Sequence, residues 1–255
     1  MTEPVDPTRA GVLVPDWPAP ARVKALVTTR QAPGLSQPPY DAFNLGLRSG
    51  EDEGTVRANR ALLERAFALP SAPRWLRQVH GDRSLRITEE IIDGEPEADA
   101  AFTTHAGAVL AILSADCLPI LLCADDGGEV AALHAGWRGL SAGVIECCVR
   151  RLRTPPERLI AWLGPAIGAA SYEVGDEVRA AFLEQSTGAA EAFAATRPGH
   201  WTCDLYALAR QRLAQHGIRR VHGGGFDTFA DTRFYSYRRD GARSGRFASL
   251  IWIER

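Results

Sequence analysis

The sequence predicts a layered α/β fold with mixed sheets, because short apolar strands and amphipathic helices follow one another along one chain. The central part carries strand-like runs that are separated by Gly, Asp or Pro. These runs are apolar at both even and odd positions, which is typical of strands in a sheet that is covered on both faces. They span residues 75–80, 100–103, 109–113, 120–123 and 130–134.

Further elements flank this central block. A strand is expected at 23–29, and Ser49 is expected to cap a helix whose apolar positions fall on one face. Gly217 stands where a glycine commonly ends a helix. Beyond the central block the pattern predicts strands at 159–162 and 247–253, and helices at 141–153, at 176–184 and from a Thr202 cap to Gly217.

The charge balance favours a small-molecule substrate. The chain has 255 residues, a formal net charge of -2 and a pI near 6.3, so it has no broad basic field for nucleic acid or an anionic membrane. This length fits one large α/β domain, expected at 21–255 after a loose Pro-containing segment at 1–20. We expect a monomer or a weak homodimer.

Hydropathy and cysteine usage favour the cytoplasm. No apolar run approaches the ~20 residues that a membrane helix needs, and residues 1–20 lack the pattern of a signal peptide. The five cysteines are an odd number and include an adjacent pair, which is unlike a secreted disulfide framework. Reduced thiols are expected.

Three segments place possible metal ligands at the ends of predicted strands. His80 precedes a glycine, Cys117 precedes Leu118-Pro119, and His134 ends an apolar run. Taken singly, a cysteine in such a run is more often a small buried hydrophobe, and a lone histidine is usually only hydrogen-bonded. The repeated setting favours a shared site, and three nitrogen and sulfur ligands would leave zinc an open position for water or substrate.

Other polar residues lie beside these segments. Asp116 is either a turn-forming residue or a group that orients a ligand or accepts a proton. Asn44 and Arg48 lie on a loop that enters a predicted helix, where an anion is favoured. Arg138 is suited to phosphate or to a surface salt bridge. The stretch 235–241 is suited either to base stacking and anion contact or to a simple hairpin.

Several motifs resemble one known family along nearly the whole chain from about Val23. QVHG, ADCLP, HAGWRG, GPAIG followed by YEVG, and FYSYRRDG followed by GR occur in the order seen in the YfiH family, once labelled multicopper polyphenol oxidoreductases or laccase-like proteins. FNLG extends the match toward the N-terminus. The resemblance implies a single-domain α/β/β/α fold related to bacterial toxin deamidases, with zinc on His80, Cys117 and His134.

The same resemblance implies an enzyme of purine nucleosides. Family members are described as phosphorolysing adenosine, inosine, guanosine or methylthioadenosine to the base and a ribose 1-phosphate, and as deaminating adenosine. The partners would be a nucleoside and phosphate. Cys117, Asp116 and Arg48 are then the catalytic candidates, and Asn44, Arg48 and Arg138 are the candidates for substrate binding.

Three other functions stay open beside this one. Copper is possible with these ligands, but a polyphenol oxidase fits poorly, because the chain has six histidines, no HxH pair and only Met1. The resemblance also leaves open a metal-independent amidase acting on peptidoglycan precursors, with Cys117 as nucleophile and His134 as base. A non-catalytic metal-binding protein is the third. Asp227 stands where many relatives carry a cysteine, so no role is assigned to that position.

Overall fold

Two β-sheets lie face to face at the centre of the fold. The computed structural model describes residues 11–89 and 94–255, and all structural statements concern these ranges. The strands are β1 Val12–Leu13, β2 Val23–Thr28, β3 Ser84–Arg86, β4 Ala100–Thr103, β5 Leu110–Ser114, β6 Leu118–Ala124, β7 Val130–Ala135, β8 Leu159–Leu163, β9 Glu173–Gly175, β10 Phe193–Arg197, β11 His200–Cys203, β12 Arg220–Gly223 and β13 Phe247–Ile253. The helices are α1 Glu53–Ala66, α2 Trp137–Ala142, α3 Val144–Val149, α4 Asp176–Leu183, α5 Leu205–Gln215 and α6 Tyr237–Asp240.

The larger sheet is mixed and the smaller sheets are antiparallel. The six strands of the larger sheet lie in the order β12-β8-β6-β7-β4-β3. The strand pair at each edge is parallel, and the pairs between them are antiparallel. The second sheet has the order β1-β2-β13-β5. A third sheet, β10-β11-β9, flanks them. The mixed sheets expected from the sequence are confirmed.

Alternate residues of strand β6 face two different layers. Ile120 and Leu122 share a core with residues of helices α2, α3, α4 and α5. Leu121 and Cys123 share a core with the four-stranded sheet. Every residue of β6 is buried, which explains why the run is apolar at both even and odd positions.

Strand β13 divides the core in the same way on the other side. Phe247 and Ile251 pack toward the six-stranded sheet, whereas Leu250 packs in a third core with Leu63 of helix α1. The layers therefore run helix, sheet, sheet, helix. The α/β/β/α arrangement that the resemblance implied is confirmed.

The helix boundaries correct three expectations. Asp52, not Ser49, caps α1, because its carboxylate accepts from the Thr55 amide. The helix expected at 141–153 is two short helices that meet at Gly143, whose φ of +97° ends the first. The helix after residue 202 is capped by Asp204, and the stop at Gly217 is confirmed.

Strand assignments change at two places. Residues 75–80 form no strand and contain one isolated bridge, at Arg77, next to a second isolated bridge at Arg74. The hairpin considered for 235–241 is the short helix α6, which Ser236 caps. Both segments line the cavity described below, and the side chain of Gln78 exchanges two hydrogen bonds with the backbone of Leu113 in the edge strand β5.

The segment expected to be loose is ordered where it is described. Residues 1–10 lie outside the described ranges. Within 11–20, Val12 and Leu13 pair with β2, and Trp17 packs against the core between the sheets. No helix in the described ranges combines the length and apolar character needed to cross a bilayer.

Candidate active site

His80, Cys117 and His134 come together at one edge of the six-stranded sheet. Each offers a ligand atom, and these atoms lie within 4.8 Å of one another. His134 is near the end of β7, and Cys117 directly precedes β6, whose Pro119 pairs with His134. Within 11–89 and 94–255 this is the only such group of three His, Cys, Asp or Glu side chains. The ligand set expected from the sequence is therefore spatially possible.

His80 occupies a tight turn. Its φ is +61°, a left-handed conformation that non-glycine residues rarely adopt. The turn is held by the carboxylate of Asp99, which accepts hydrogen bonds from the amides of Val79 at 3.1 Å, His80 at 2.9 Å and Gly81 at 2.8 Å. These bonds explain how an exposed histidine is fixed in this backbone conformation.

The same carboxylate orients His134. The Nδ1 atom of His134 lies 2.8 Å from Oδ1 of Asp99, and both residues are buried. A carboxylate at Nδ1 fixes the tautomer and leaves Nε2 free for a metal or a proton. Sequence reasoning missed Asp99, although an acidic residue between two alanines in a strand-like run was a signal for a buried partner.

Charge in this cluster favours a thiolate. Burial raises the pKa of Cys117, but the charge and hydrogen bond of His134, followed by those of His80, outweigh this effect and lower the pKa to about 6. Burial lowers the pKa of His134, but Cys117 and Asp99 outweigh this effect and raise the pKa to about 9. Without a metal, the pair is a thiolate and an imidazolium near neutral pH.

Gly136 leaves the room that the thiol needs. A Cβ atom at this position would lie 2.6 Å from Sγ of Cys117, which is closer than real Cβ atoms come. The residue caps helix α2 in an extended conformation that any residue can adopt, so the requirement is for space. The glycine of the HAGWRG motif therefore belongs to the site.

Asp116 joins three segments. Its φ is +85°, and its Oδ1 accepts from the Thr228 hydroxyl at 2.6 Å. Its Oδ2 accepts from the Arg238 amide at 2.7 Å, and its carbonyl accepts from the Ile167 amide at 3.0 Å. Because protein groups engage both carboxylate oxygens, the geometry favours an anchoring role for Asp116 over a proton acceptor.

A cavity of about 660 Å³ opens in front of the three ligand candidates. Four arginines line it, and three of them lie over aromatic rings: Arg138 over Trp137 at 4.5 Å, Arg238 over Tyr172 at 5.2 Å and Arg246 over Tyr237 at 5.9 Å. The fourth, Arg48, is paired with Glu95. Guanidinium groups bind phosphate oxygens well, and aromatic rings stack on flat bases.

The sequence anticipated part of this lining. Arg48 and Arg138 were candidates, and the stretch 235–241 was considered for stacking and anion contact. Tyr172 and Arg246 lie within the motifs of the family resemblance, and the sequence assigns them no role. Burial raises the pKa of Tyr172, so its hydroxyl stays protonated and can donate a hydrogen bond. The Arg246 amide donates to Asn44 Oδ1 at 2.8 Å across a sequence separation of 202 residues, a contact that no local pattern shows.

Asn44, expected to help bind substrate, is fully buried behind the cavity wall and is not among the residues that line the cavity. Its side chain is fully buried and donates to Ser49 Oγ at 2.7 Å and to Glu51 at 2.8 Å. Its Oδ1 accepts from the amides of Gly46 at 3.0 Å and Arg246 at 2.8 Å. Asn44 therefore shapes the loop that carries Arg48.

Comparison with known proteins identifies the family. A family model described as multi-copper polyphenol oxidoreductase laccase matches residues 24–254, and the chain belongs to this family. A Xylella fastidiosa protein named purine nucleoside phosphorylase is 54% identical over 254 residues, covering 95% of this chain and 96% of that protein. An Escherichia coli protein named purine nucleoside phosphorylase YfiH is 47% identical, covering 95% and 98%. The resemblance to the YfiH family is confirmed.

Solved structures agree on the fold. A Neisseria meningitidis protein matches with a TM-score of 0.91 at 43% identity, covering 96% of this chain and 100% of that one. YlmD from Geobacillus stearothermophilus matches with a TM-score of 0.85 at 29% identity, covering 92% and 93%.

Proposed function

We propose that this protein is a purine nucleoside phosphorylase, which converts a nucleoside and phosphate into the free base and ribose 1-phosphate. The observation that carries the proposal is a cavity that combines a His/Cys/His group with four arginines and three aromatic rings. Relatives that cover nearly the whole chain bear this enzyme's name. Adenosine, inosine, guanosine and methylthioadenosine are the proposed substrates.

The cavity residues would divide the work of phosphorolysis between base and phosphate. The purine stacks on an aromatic side chain, while guanidinium groups bind the phosphate that attacks the anomeric carbon as the glycosidic bond breaks. Arg138 is available for this task, because its guanidinium contacts the ring of Trp137 at the exposed rim of the cavity. Several arginines in one cavity are suited to the negative charge of phosphate.

The residues fit a divalent metal, and we propose zinc. His80, Cys117 and His134 would hold it, and Asp99 already orients the ring of His134 for that role. When bound, zinc supplies a Lewis acid that lowers the pKa of water, as deamination of adenosine to inosine requires. Copper accepts the same donors, but six histidines without an HxH pair do not fit a multicopper oxidase.

A second candidate function rests on Asp99. Cys117, His134 and Asp99 form a series in which a low-pKa thiol meets a histidine that a buried carboxylate orients. This is the arrangement of a metal-independent Cys/His hydrolase acting on amides. It predicts activity in metal-free protein, whereas the leading proposal predicts that Cys117→Ser loses both zinc and base release.

Chromatography of nucleoside reactions tests the leading proposal. Purified protein of known zinc content is incubated with adenosine, inosine or guanosine, with and without phosphate. Phosphate-dependent release of base supports a phosphorylase, and inosine formed from adenosine without phosphate supports the deaminase activity. The absence of both products at full zinc occupancy would refute the proposal.

We also propose that the reaction is cytoplasmic, which the five unpaired cysteines support.

A further inference from the structure

Glu95 forms an ion-pair bridge between the cavity and a buried arginine. Its carboxylate accepts from Arg48, which lines the cavity, and from Arg60 at 2.7 Å. The side chains of Glu95 and Arg60 are each 9% exposed, whereas that of Arg48 is 58% exposed. One carboxylate therefore lies between a fixed cation and a cation that faces the cavity.

The buried end of this bridge is fixed from several sides. The guanidinium of Arg60 lies 4.1 Å from the centre of the Trp75 ring, and its Nε donates to the carbonyl of Leu45 at 2.9 Å. Leu45 belongs to the same loop as Arg48. The position of Glu95 is therefore set by groups that also shape the cavity wall.

The charges explain why this bridge suits an anion site. A carboxylate paired with Arg48 alone would cancel its charge and repel phosphate. Arg60 supplies a second positive charge, so two guanidinium groups and one carboxylate together carry a formal charge of +1. Glu95 accepts a hydrogen bond from only the Nη1 atom of Arg48, and the other donors of that guanidinium have no hydrogen-bond partner within residues 11–89 and 94–255.

We propose that Glu95 is a positioning residue that, balanced by Arg60, holds the guanidinium of Arg48 at the phosphate-binding part of the cavity. This inference rests on the proposed phosphorylase function and deepens it. Glu95 acts through Arg48 and touches no substrate. In this proposal Arg48 binds phosphate and not the nucleoside.

Glu97 provides a matched control on the same loop. Its carboxylate pairs with Arg77, both side chains are about half exposed, and neither lines the cavity. The backbone of Arg77 also bonds to Pro96 and Ala98, so this part of the loop is held independently of Glu97. Glu97→Gln removes the same charge from the same loop without affecting Arg48.

Steady-state kinetics of base release test the inference. Glu95→Gln is expected to raise KM for phosphate roughly tenfold, the effect of losing one charge-assisted hydrogen bond, with kcat and KM for inosine within about twofold of wild type. Glu97→Gln is expected to match wild type. An unchanged KM for phosphate in folded Glu95→Gln, or equal increases in both KM values, would overturn the inference.

Two further variants separate positioning from folding. Glu95→Asp keeps the charge and is expected to restore most of the phosphate affinity. In an Arg48→Ala background, Glu95→Gln should have no additional effect on KM for phosphate, because the group it positions is gone. A further loss in that background would overturn the inference. Failure of the proposed function itself is a different result: the wild-type protein would then show no phosphate-dependent base release.

Discussion

Replacing Asp99 with Asn is expected to weaken metal binding and to destabilise the turn at His80. The two side chains have nearly the same shape, but an amide presents one acceptor atom and one donor atom. In the native site Oδ1 faces the His80 amide and Nδ1 of His134, and Oδ2 faces the amides of Val79 and Gly81. Whichever way the amide is oriented, its NH₂ group meets two groups that now donate.

Both orientations are costly for identifiable reasons. If the NH₂ group faces Val79 and Gly81, their two backbone amides have no acceptor. Each unpaired amide lowers the free energy of unfolding by about 1–3 kcal/mol. An NH₂ group toward His134 makes Nδ1 an acceptor and places the ring proton on Nε2, the atom needed for a metal. The loss of a carboxylate partner behind a ligand histidine typically costs about 10–100-fold in metal affinity.

Competition with a chromophoric chelator measures the zinc affinity of Asp99→Asn, and urea unfolding measures its stability. Asp82→Asn is the control, because Asp82 lies beside the same turn and accepts only from the Cys147 thiol among the hydrogen bonds of the described residues. A zinc affinity within about threefold of wild type in Asp99→Asn would refute the view that this carboxylate orients His134.

Three further predictions concern the thiol, the space around it and the loop behind the cavity. Gly136→Ala should displace the Cys117 thiol and reduce bound zinc at least tenfold by competition titration, whereas Gly188→Ala, whose added Cβ would lie no closer than 3.6 Å to other atoms, should bind as wild type. In metal-free protein the rate of Cys117 alkylation by iodoacetamide should rise with pH through about 6, because the thiolate reacts and its pKa is lowered; an inflection near the ordinary value of ~8.5 would contradict the ion pair with His134. Asn44→Ala should lower the free energy of unfolding by about 2–4 kcal/mol in urea titration, because it leaves buried donors and acceptors unpaired; an unchanged midpoint would show that the loop is held without it.

The layers of the fold follow from patterns that the sequence displays. Strand β6 is apolar at both even and odd positions because both of its faces are buried. Such a pattern predicts a sheet that is covered on both sides. The helix around residue 143 was harder to predict, since one glycine at positive φ divides a run that is helical on both sides. Exact caps depend on which of several nearby polar residues reaches the free amides, and Asp52 does so where Ser49 does not.

The site was predictable where chemistry is local and unpredictable where it depends on tertiary contacts. His80, Cys117 and His134 were recognisable because each is a metal-ligating type beside a turn residue. Asp99 acts through hydrogen bonds to a segment about twenty positions away, and Glu95 acts through arginines from two other segments. Such partners become visible only when the sheet brings the segments together.

The most direct test of the account measures base release against bound zinc. Zinc is removed with a chelator and then returned in steps, while phosphate-dependent release of hypoxanthine from inosine is followed at each step. The account predicts that activity is lost with the metal, returns in proportion to bound zinc and reaches its maximum at about one ion per chain, the number that one His80/Cys117/His134 group can hold. Full phosphorolysis by metal-free protein would contradict the central claim.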